Sequence, residues 1–180
     1  MKILVTTAYS PSPRTRTFVK DLVSVLPNAG KLSRGKLSLD LLGAVAADEG
    51  AEKVIIVKEF HGNPSGLEVY AVRDAELVKE GEIKLRGVSL SSERGRRVYN
   101  VRKVGIRAYN LVPGTDEVVD KLSRLLGIPK IEEPSEASEY DLIMDVEPAE
   151  RGFEVAFRTP GSKAPVGPVL RVREVVEGEG

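Results

Sequence analysis

Basic side chains dominate the first part of the chain, from residue 2 to residue 36. The cations there are Lys2, Arg14, Arg16, Lys20, Lys31, Arg34 and Lys36, with Asp21 as the single acid. Guanidinium and ammonium groups donate charge-assisted hydrogen bonds to phosphate oxygens, and the free amides at a helix start can join them. Hydroxyl groups are also present, at Thr7, Ser10, Ser12 and Thr15. The composition predicts an anion site, and its extent favours a polyanion.

A strand, a turn and a helix are predicted to position these cations. The apolar run 3–5 is short and precedes Thr, Ser and Pro residues, which is typical of a strand that enters a turn. Ser12 and Pro13 predict a helix start, because serine accepts from first-turn amides and proline is tolerated at the first position. The core face of this helix comprises Phe18, Val19, Leu22, Val23 and Leu26, and Pro27-Asn28 ends the pattern. Arg16 and Lys20, four residues apart, are neighbours on the other face.

A second interpretation of this helix remains open from the residues alone. Basic residues on one face can be the solvated side of an amphipathic helix, since runs of charge usually have that role. Composition therefore does not decide between a solvated face and a phosphate-binding face.

Residues 83–107 form a second basic stretch. Its cations are Lys84, Arg86, Arg94, Arg96, Arg97, Arg102, Lys103 and Arg107, against Glu93 alone. An apolar alternation over 85–90 indicates a strand and residues 91–95 a turn, so Arg94, Arg96 and Arg97 are expected to project from an exposed loop. Clustered arginines repel one another, which favours phosphate contacts over a role in folding.

Two tyrosines lie near these arginines. Tyr99 and Tyr109 could offer stacking surfaces to unpaired RNA bases. At least one of them is expected to pack against a sheet face instead.

The first basic stretch also resembles a known family in its motifs. These are Ser12-Pro13-Arg14-Thr15-Arg16, Phe18-Val19-Lys20-Asp21-Leu22, Leu26-Pro27-Asn28 and Arg34-Gly35-Lys36. They resemble the opening of the Brix domain family, and the chain is similar to its archaeal single-domain members and to the Brix proteins of the small-subunit processome. Gly167-Pro168 resembles the family's closing motif, but Val169 follows where members commonly have a basic residue, which argues against an RNA contact there.

The resemblance implies an α/β sandwich of two pseudo-symmetric halves, similar to the anticodon-binding domain of class IIa aminoacyl-tRNA synthetases. We expect one domain over residues 1–180, with halves of about 1–97 and 98–176. Two further helices are predicted, one capped by Ser38 with Leu39, Leu42, Val45 and Ala46 on its core face, and one from Thr115 to Gly127. A hairpin is predicted from strands 54–57 and 67–72, with its bend at Asn63-Pro64. Later strands are predicted at 142–146, 153–157 and 169–175. Residues 128–140 are expected to form a solvated or mobile linker.

Composition excludes several kinds of site. The 180 residues include no cysteine and one histidine, His61, which excludes disulfides, thiolate metal sites and histidine-rich metal sites. No Walker loop, nucleophile elbow or HExxH motif occurs, so we expect no catalysis, metal or cofactor. Without a signal peptide or a membrane-length apolar run, the chain is expected to be a soluble cytoplasmic protein with no membrane partner. Abundant charge without glutamine is typical of a thermophile.

The resemblance and the charge pattern together predict a non-enzymatic rRNA-binding factor in ribosome biogenesis and pre-rRNA processing. The residues expected to contact backbone phosphates of small-subunit pre-rRNA are Arg14, Arg16, Lys20, Arg34 and Lys36. Arg94, Arg96 and Arg97 are expected to extend the track. The acidic residues after position 108 are expected to face away from RNA or to meet basic ribosomal or assembly proteins. Two alternatives remain, a protein-interaction module of the assembly machinery and a tRNA- or nucleotide-handling enzyme with a phosphate cradle before the first helix.

Overall fold

Strands and helices alternate in the computed structural model, which describes residues 1–178, and the predicted α/β class is confirmed. The strands are β1 (Ile3–Thr7), β2 (Ala29–Lys31), β3 (Lys53–Phe60), β4 (Asn63–Arg73), β5 (Glu76–Ser89), β6 (Val104–Arg107), β7 (Lys130–Ile131), β8 (Leu142–Ala149), β9 (Gly152–Arg158) and β10 (Val166–Glu177). The helices are α1 (Pro13–Val25), α2 (Leu39–Asp48), α3 (Ser91–Arg94) and α4 (Asp116–Leu126), with a 3₁₀ helix at Pro134–Glu139.

All ten strands form one sheet in the order β2-β1-β3-β4-β5-β10-β9-β8-β6-β7. The first five strands form one half of the sheet and the last five the other. Read from its outer edge to the middle, each half has the same strand order, β2-β1-β3-β4-β5 and β7-β6-β8-β9-β10. The two halves meet at the antiparallel pair β5–β10. Within each set the first strand runs parallel to both of its neighbours. The strand order is compatible with two related halves, while the boundary near residue 97 stays a prediction.

Helices cover the sheet on both faces of its N-terminal part. Residues that alternate along β1 and β3 point to opposite sides, so Ile3 and Val5 join the main core with α1, whereas Leu4 and Val54 join a smaller cluster with α2. The main core also includes α4 and strands from both ends of the sheet. α1 and α2 therefore pack on opposite faces of the sheet, and α1 lies over the main core.

The predicted caps position α1 and α2 as expected. The Ser12 side chain accepts from the Thr15 amide at 3.1 Å, and Pro13 occupies the first helical position. The Ser38 hydroxyl accepts from the Leu41 amide in the same way. Leu39 was expected in the core but is exposed, since burial along α2 begins only at Leu42.

The hairpin between β3 and β4 turns at a different place from the predicted Asn63-Pro64 bend. His61 and Gly62 form a two-residue turn with φ values of 51° and 77°, the left-handed pair that suits the twist of a hairpin. Asn63 and Pro64 lie inside β4. Pro64 is tolerated there because it pairs with Glu59 beside an irregularity in the ladder, where a missing amide costs little.

Two further predictions about irregular segments are wrong. Residues 91–94 form the one-turn helix α3 rather than a turn, and the Glu93 carboxylate accepts from the Leu90 amide at its start at 2.7 Å. The expected linker 128–140 contains β7 and the 3₁₀ helix, and its Ile128 and Ile131 side chains are buried. Burial of these isoleucines ties the segment to the core and excludes a freely solvated linker.

Candidate nucleic-acid interface

A cleft of about 610 Å³ opens at the carboxyl end of β1, beside the first turns of α1. Five cations line it, namely Arg16, Lys20, Lys31, Arg34 and Lys36, and we call it the basic groove. Hydroxyl-bearing Thr7, Ser10 and Ser33 also line it. Clefts beyond the carboxyl ends of parallel strands commonly bind ligands in α/β folds, because connections diverge there.

Local structure explains how each cation reaches the basic groove. Arg16 and Lys20 project from successive turns of α1, since the same helix buries Phe18 and Leu22 on its other side. Lys31 ends the short edge strand β2. Arg34 and Lys36 follow on the loop that leads to α2.

Arg34 differs from the other four because it is only 7% exposed. Its Nε donates to the Leu37 carbonyl at 2.7 Å, and its Nη1 donates to the Thr7 carbonyl at 3.0 Å. The guanidinium also lies 4.3 Å from the centroid of the Tyr9 ring, whose hydroxyl donates to the same Leu37 carbonyl at 2.9 Å. Arg34 therefore holds the groove wall together and adds positive charge to it, with few donors left for a ligand.

Arg14 was expected to join the same site but points elsewhere. Its guanidinium donates to both Glu93 carboxylate oxygens at 3.0 and 3.1 Å, and to the Val88 carbonyl at 2.9 Å. Hydrogen bonding from Arg14 lowers the pKa of the Glu93 carboxyl, with the Leu90 amide acting in the same direction. The bidentate pair neutralises Arg14 on the side of α1 that faces β5 and α3.

Asp21 holds Arg97 against the helix. The Asp21 carboxylate is 1% exposed and accepts from the Arg97 Nε at 2.9 Å and from the Ser91 amide at 2.8 Å. Hydrogen bonding to Asp21 raises the pKa of the Arg97 guanidinium. Arg94 and Arg96 are exposed as predicted, although Arg94 ends α3 instead of lying in a loop, and it is 3.9 Å from the Glu154 carboxylate.

A second cleft, of about 350 Å³, lies on the far side of Lys20 and is lined by Arg97, Tyr99 and Asn100. We call it the tyrosine groove. Of the eight cations predicted to contact RNA, Arg16, Lys20, Arg34 and Lys36 line the basic groove, while Lys20 and Arg97 line the tyrosine groove. Arg14, Arg94 and Arg96 line neither cleft. Lys31 was not among the predicted contacts, although it was counted in the first basic stretch, and it lines the basic groove from the end of β2.

The C-terminal part repeats the turn that follows β1, but with a different charge pattern. Ala8-Tyr9-Ser10 recurs as Ala108-Tyr109-Asn110, and the third residue has a φ of 52° in both copies. The motif repeat was visible in the sequence and could have shown the relation between the two parts. Here, however, the buried Arg107 donates to the Asp145 carboxylate at 2.7 Å, and Arg158 and Glu147 complete the ion-paired cluster. Acids thus neutralise both of these arginines.

Other expected features have simple structural outcomes. Tyr109 is partly buried with the Arg107 guanidinium 5.9 Å from its ring centroid, whereas Tyr99 is exposed. His61 is exposed at the hairpin turn, and its ring lies edge-on to Phe60 with centroids 4.1 Å apart. Over residues 1–178 no group of three or more His, Cys, Asp or Glu side chains could hold a metal ion. Within the same residues no helix is both long and apolar enough to span a membrane.

Comparisons with known proteins give a consistent result, although no family model matches the chain. A probable Brix domain-containing ribosomal biogenesis protein of Aeropyrum pernix is 33% identical over 174 residues, which cover 96% of each chain. A protein of the same description from Thermococcus kodakarensis is 28% identical over 185 residues, covering 95% of this chain and 89% of that one.

Solved structures agree with these relatives. The crystal structure of a probable ribosomal biogenesis protein from Aeropyrum pernix K1 superposes with a TM-score of 0.79 at 31% identity and covers 99% of this chain and 97% of that one. An archaeal Imp4-like protein superposes with a TM-score of 0.69 at 22% identity, covering 97% and 99%, and shares the fold.

Proposed function

The chain belongs to the family of Brix domain-containing ribosomal biogenesis proteins, and on that premise we propose that it is a non-catalytic assembly factor that binds rRNA through the basic groove. The phosphate backbone is the part of the RNA that this groove contacts. Such contacts position a protein on RNA without reading its sequence, so selectivity comes from RNA shape and from unpaired bases.

The observation that supports this proposal is the state of the groove cations. Arg16, Lys20, Lys31 and Lys36 have no ion pair with an acid anywhere in residues 1–178. Lys121 and Arg124 on α4, the corresponding helix of the second part, are paired with acids instead. Uncompensated like charges around one cleft repel one another, and a polyanion removes that repulsion on binding.

The arrangement also supports binding rather than catalysis. The groove offers cations and hydroxyls, which can hold phosphate oxygens, but Arg34 is engaged by carbonyls and His61 lies in the hairpin turn away from the groove lining. General acid–base chemistry needs a titrating group within reach of the reacting atoms. We therefore assign the groove to binding.

The experiment is a measurement of affinity for small-subunit rRNA fragments over a series of salt concentrations. The variant Arg16→Ala/Lys20→Ala/Lys36→Ala should weaken binding and flatten the slope of log affinity against log salt by about 2 to 3 units, because each lost phosphate contact removes somewhat under one unit.

A matched control removes the same charge from α4 and β7. Lys121→Ala/Arg124→Ala/Lys130→Ala deletes three cations that are already ion-paired with Glu117, Glu177 and Asp120. The control should keep the native slope. Equal slopes for all three proteins would contradict the assignment of the basic groove.

Partners and location follow from the same proposal. We propose that assembly or ribosomal proteins accompany the RNA, with the acidic C-terminal surface as the expected contact for basic partners. A cytoplasmic location fits this role. Co-purification of ribosomal precursor particles with a tagged chain from cell extract tests the proposed partners, and a chain found free of such particles would count against them.

A further inference from the structure

We propose that the RNA in the basic groove is single-stranded, and that it continues past Lys20 into the tyrosine groove, where one unpaired base stacks on Tyr99. This inference rests on the proposed function, since it takes RNA as the ligand. It adds the class of RNA, the direction of its path and a base-contacting residue.

The first argument is the continuity of the two clefts. Lys20 lines both the basic groove and the tyrosine groove, so its side chain borders the two clefts. On one side of Lys20 the lining is cationic, with Arg16 and Lys36 exposed. On the other side the wall is formed by Arg97, Tyr99 and Asn100. A strand that follows the phosphate contacts therefore meets an aromatic ring next.

The second argument is the way in which Tyr99 is presented. Its side chain is 73% exposed, yet Val98 and Val101 on either side pack against the main core. Arg97 is held by Asp21, and the Arg96 carbonyl accepts from the Gly167 amide at 2.6 Å. The chain turns at Asn100, which has a φ of 59°. Tyr99 is thus an exposed ring on an anchored segment.

Arg97 connects the ring to the rest of this wall. Arg97 and Tyr99 line the same wall of the tyrosine groove, and Arg97 is fixed there by its ion pair with Asp21. The other exposed tyrosine near the grooves, Tyr9, is already engaged by Arg34 and by the Leu37 carbonyl. Tyr99 is therefore the ring whose face is available to a ligand.

The third argument concerns the form of the RNA. Bases in a duplex are stacked on one another, so a protein ring can cover a base only where the strand is unpaired. A cationic track for phosphates beside an aromatic platform is the combination by which proteins bind single strands with little sequence preference. The Asn100 carboxamide, next to the ring, can exchange hydrogen bonds with a base edge.

The test compares a labelled oligoadenylate of twelve nucleotides with its duplex, by fluorescence anisotropy over a salt series. The native protein should bind the single strand more tightly. Tyr99→Ala should weaken single-strand binding by about 5- to 150-fold, since removing a stacked aromatic costs about that much, with no change in salt slope. Tyr99→Phe keeps the ring and should bind within about twofold of native.

Phe60→Ala is the matched control, because Phe60 is an exposed aromatic residue outside both grooves. It should bind like the native protein. Ultraviolet crosslinking of the native protein to a 5-iodouridine strand should attach RNA to a peptide that contains Tyr99, a result that needs no variant.

The outcomes separate this inference from the proposed function. If the native protein binds RNA with a salt slope that depends on Lys20, but Tyr99→Ala binds equally well or duplex binds as tightly as single strand, the single-strand path is wrong and the groove assignment stands. Crosslinks confined to other aromatic residues also overturn the path. If no RNA form binds at all, both are overturned.

Discussion

The ion pair between Asp21 and Arg97 joins α1 to the segment beyond α3, with the Arg97 Nη2 2.8 Å from the Asp21 Oδ1. Asp21 is the single acid of the first basic stretch, and its side chain is buried, so it does not neutralise the cations at the surface. It also accepts from the Ser91 amide and so holds the start of α3. One buried carboxylate therefore fixes the wall on which Tyr99 is mounted relative to the helix that carries Lys20.

Asp21→Asn should lower the free energy of unfolding by about 1.5–3 kcal/mol, because a buried charged acceptor loses its ion pair and part of its hydrogen bonding. Urea denaturation at neutral pH measures the change. The control is Asp48→Asn, which alters an exposed acid at the end of α2 and should stay within about 0.5 kcal/mol of native. Equal midpoints for Asp21→Asn and native would mean that the pair adds nothing net.

Glu93→Gln should release Arg14 for RNA. The variant keeps an oxygen that can accept from the Leu90 amide but loses the charge that neutralises the guanidinium. If Arg14 then reaches a phosphate, the salt slope of RNA binding becomes steeper by about 0.7 to 0.9 units. An unchanged slope would show that Arg14 serves α3 and β5 alone, and Ser92→Ala, on the same helix, is the control that should not alter the slope.

Glu59→Gln should change the acid stability of the fold. The Ser12 amide donates to the Glu59 carboxylate at 2.9 Å and lowers the pKa of that carboxyl in the folded protein below its ordinary 4.5. A lowered folded pKa stabilises the protein above the unfolded pKa, and this contribution is lost as pH falls through the folded pKa.

The native protein should therefore be more stable than Glu59→Gln at pH 7, and the difference should shrink in acid. Thermal unfolding of both proteins between neutral and acidic pH measures how the stability difference changes. The exposed Glu52→Gln is a control that should show no such trend. A difference that is constant with pH would mean that the lost interaction does not depend on the charge of Glu59.

Ile131→Ala should cost about 2–5 kcal/mol of unfolding free energy, because Ile131 is fully buried and its removal leaves a cavity. Chemical denaturation tests the value. Glu132→Ala, at the next and exposed position, should be nearly neutral. A small effect at Ile131 would restore the view of residues 128–140 as a loose connection.

Local signals in the sequence were reliable where neighbouring residues decide the structure. Ser12, Ser38 and Gly127 were correctly predicted at helix ends, because a cap depends on a few adjacent backbone groups. Signals failed where a distant partner decides. Ile131 gave no strand pattern by itself, and Pro64 suggested a bend until its place beside a ladder irregularity was known.

Charge pairing is the part of the site that the sequence could not show. Arg14 and Lys20 are both cations of the same helix and cannot be told apart by the sequence pattern. In the structure Arg14 pairs with Glu93, 79 positions away in sequence, while Lys20 has no acidic partner in the described chain. β6 was overlooked for a related reason, since Arg107 made its end look like part of a solvated basic run. In the structure Asp145 neutralises that arginine and allows it to be buried.

The pairing of β5 with β10 has a consequence for synthesis of the chain. The middle of the sheet closes only when residues 166–177 have left the ribosome, since β10 follows every other strand. Until then the long edge of β5 presents unpaired amides and carbonyls, a template for aggregation in a nascent polypeptide. Such distant pairing slows folding. The two halves of the sheet are thus joined only by the last of its strands to be synthesised.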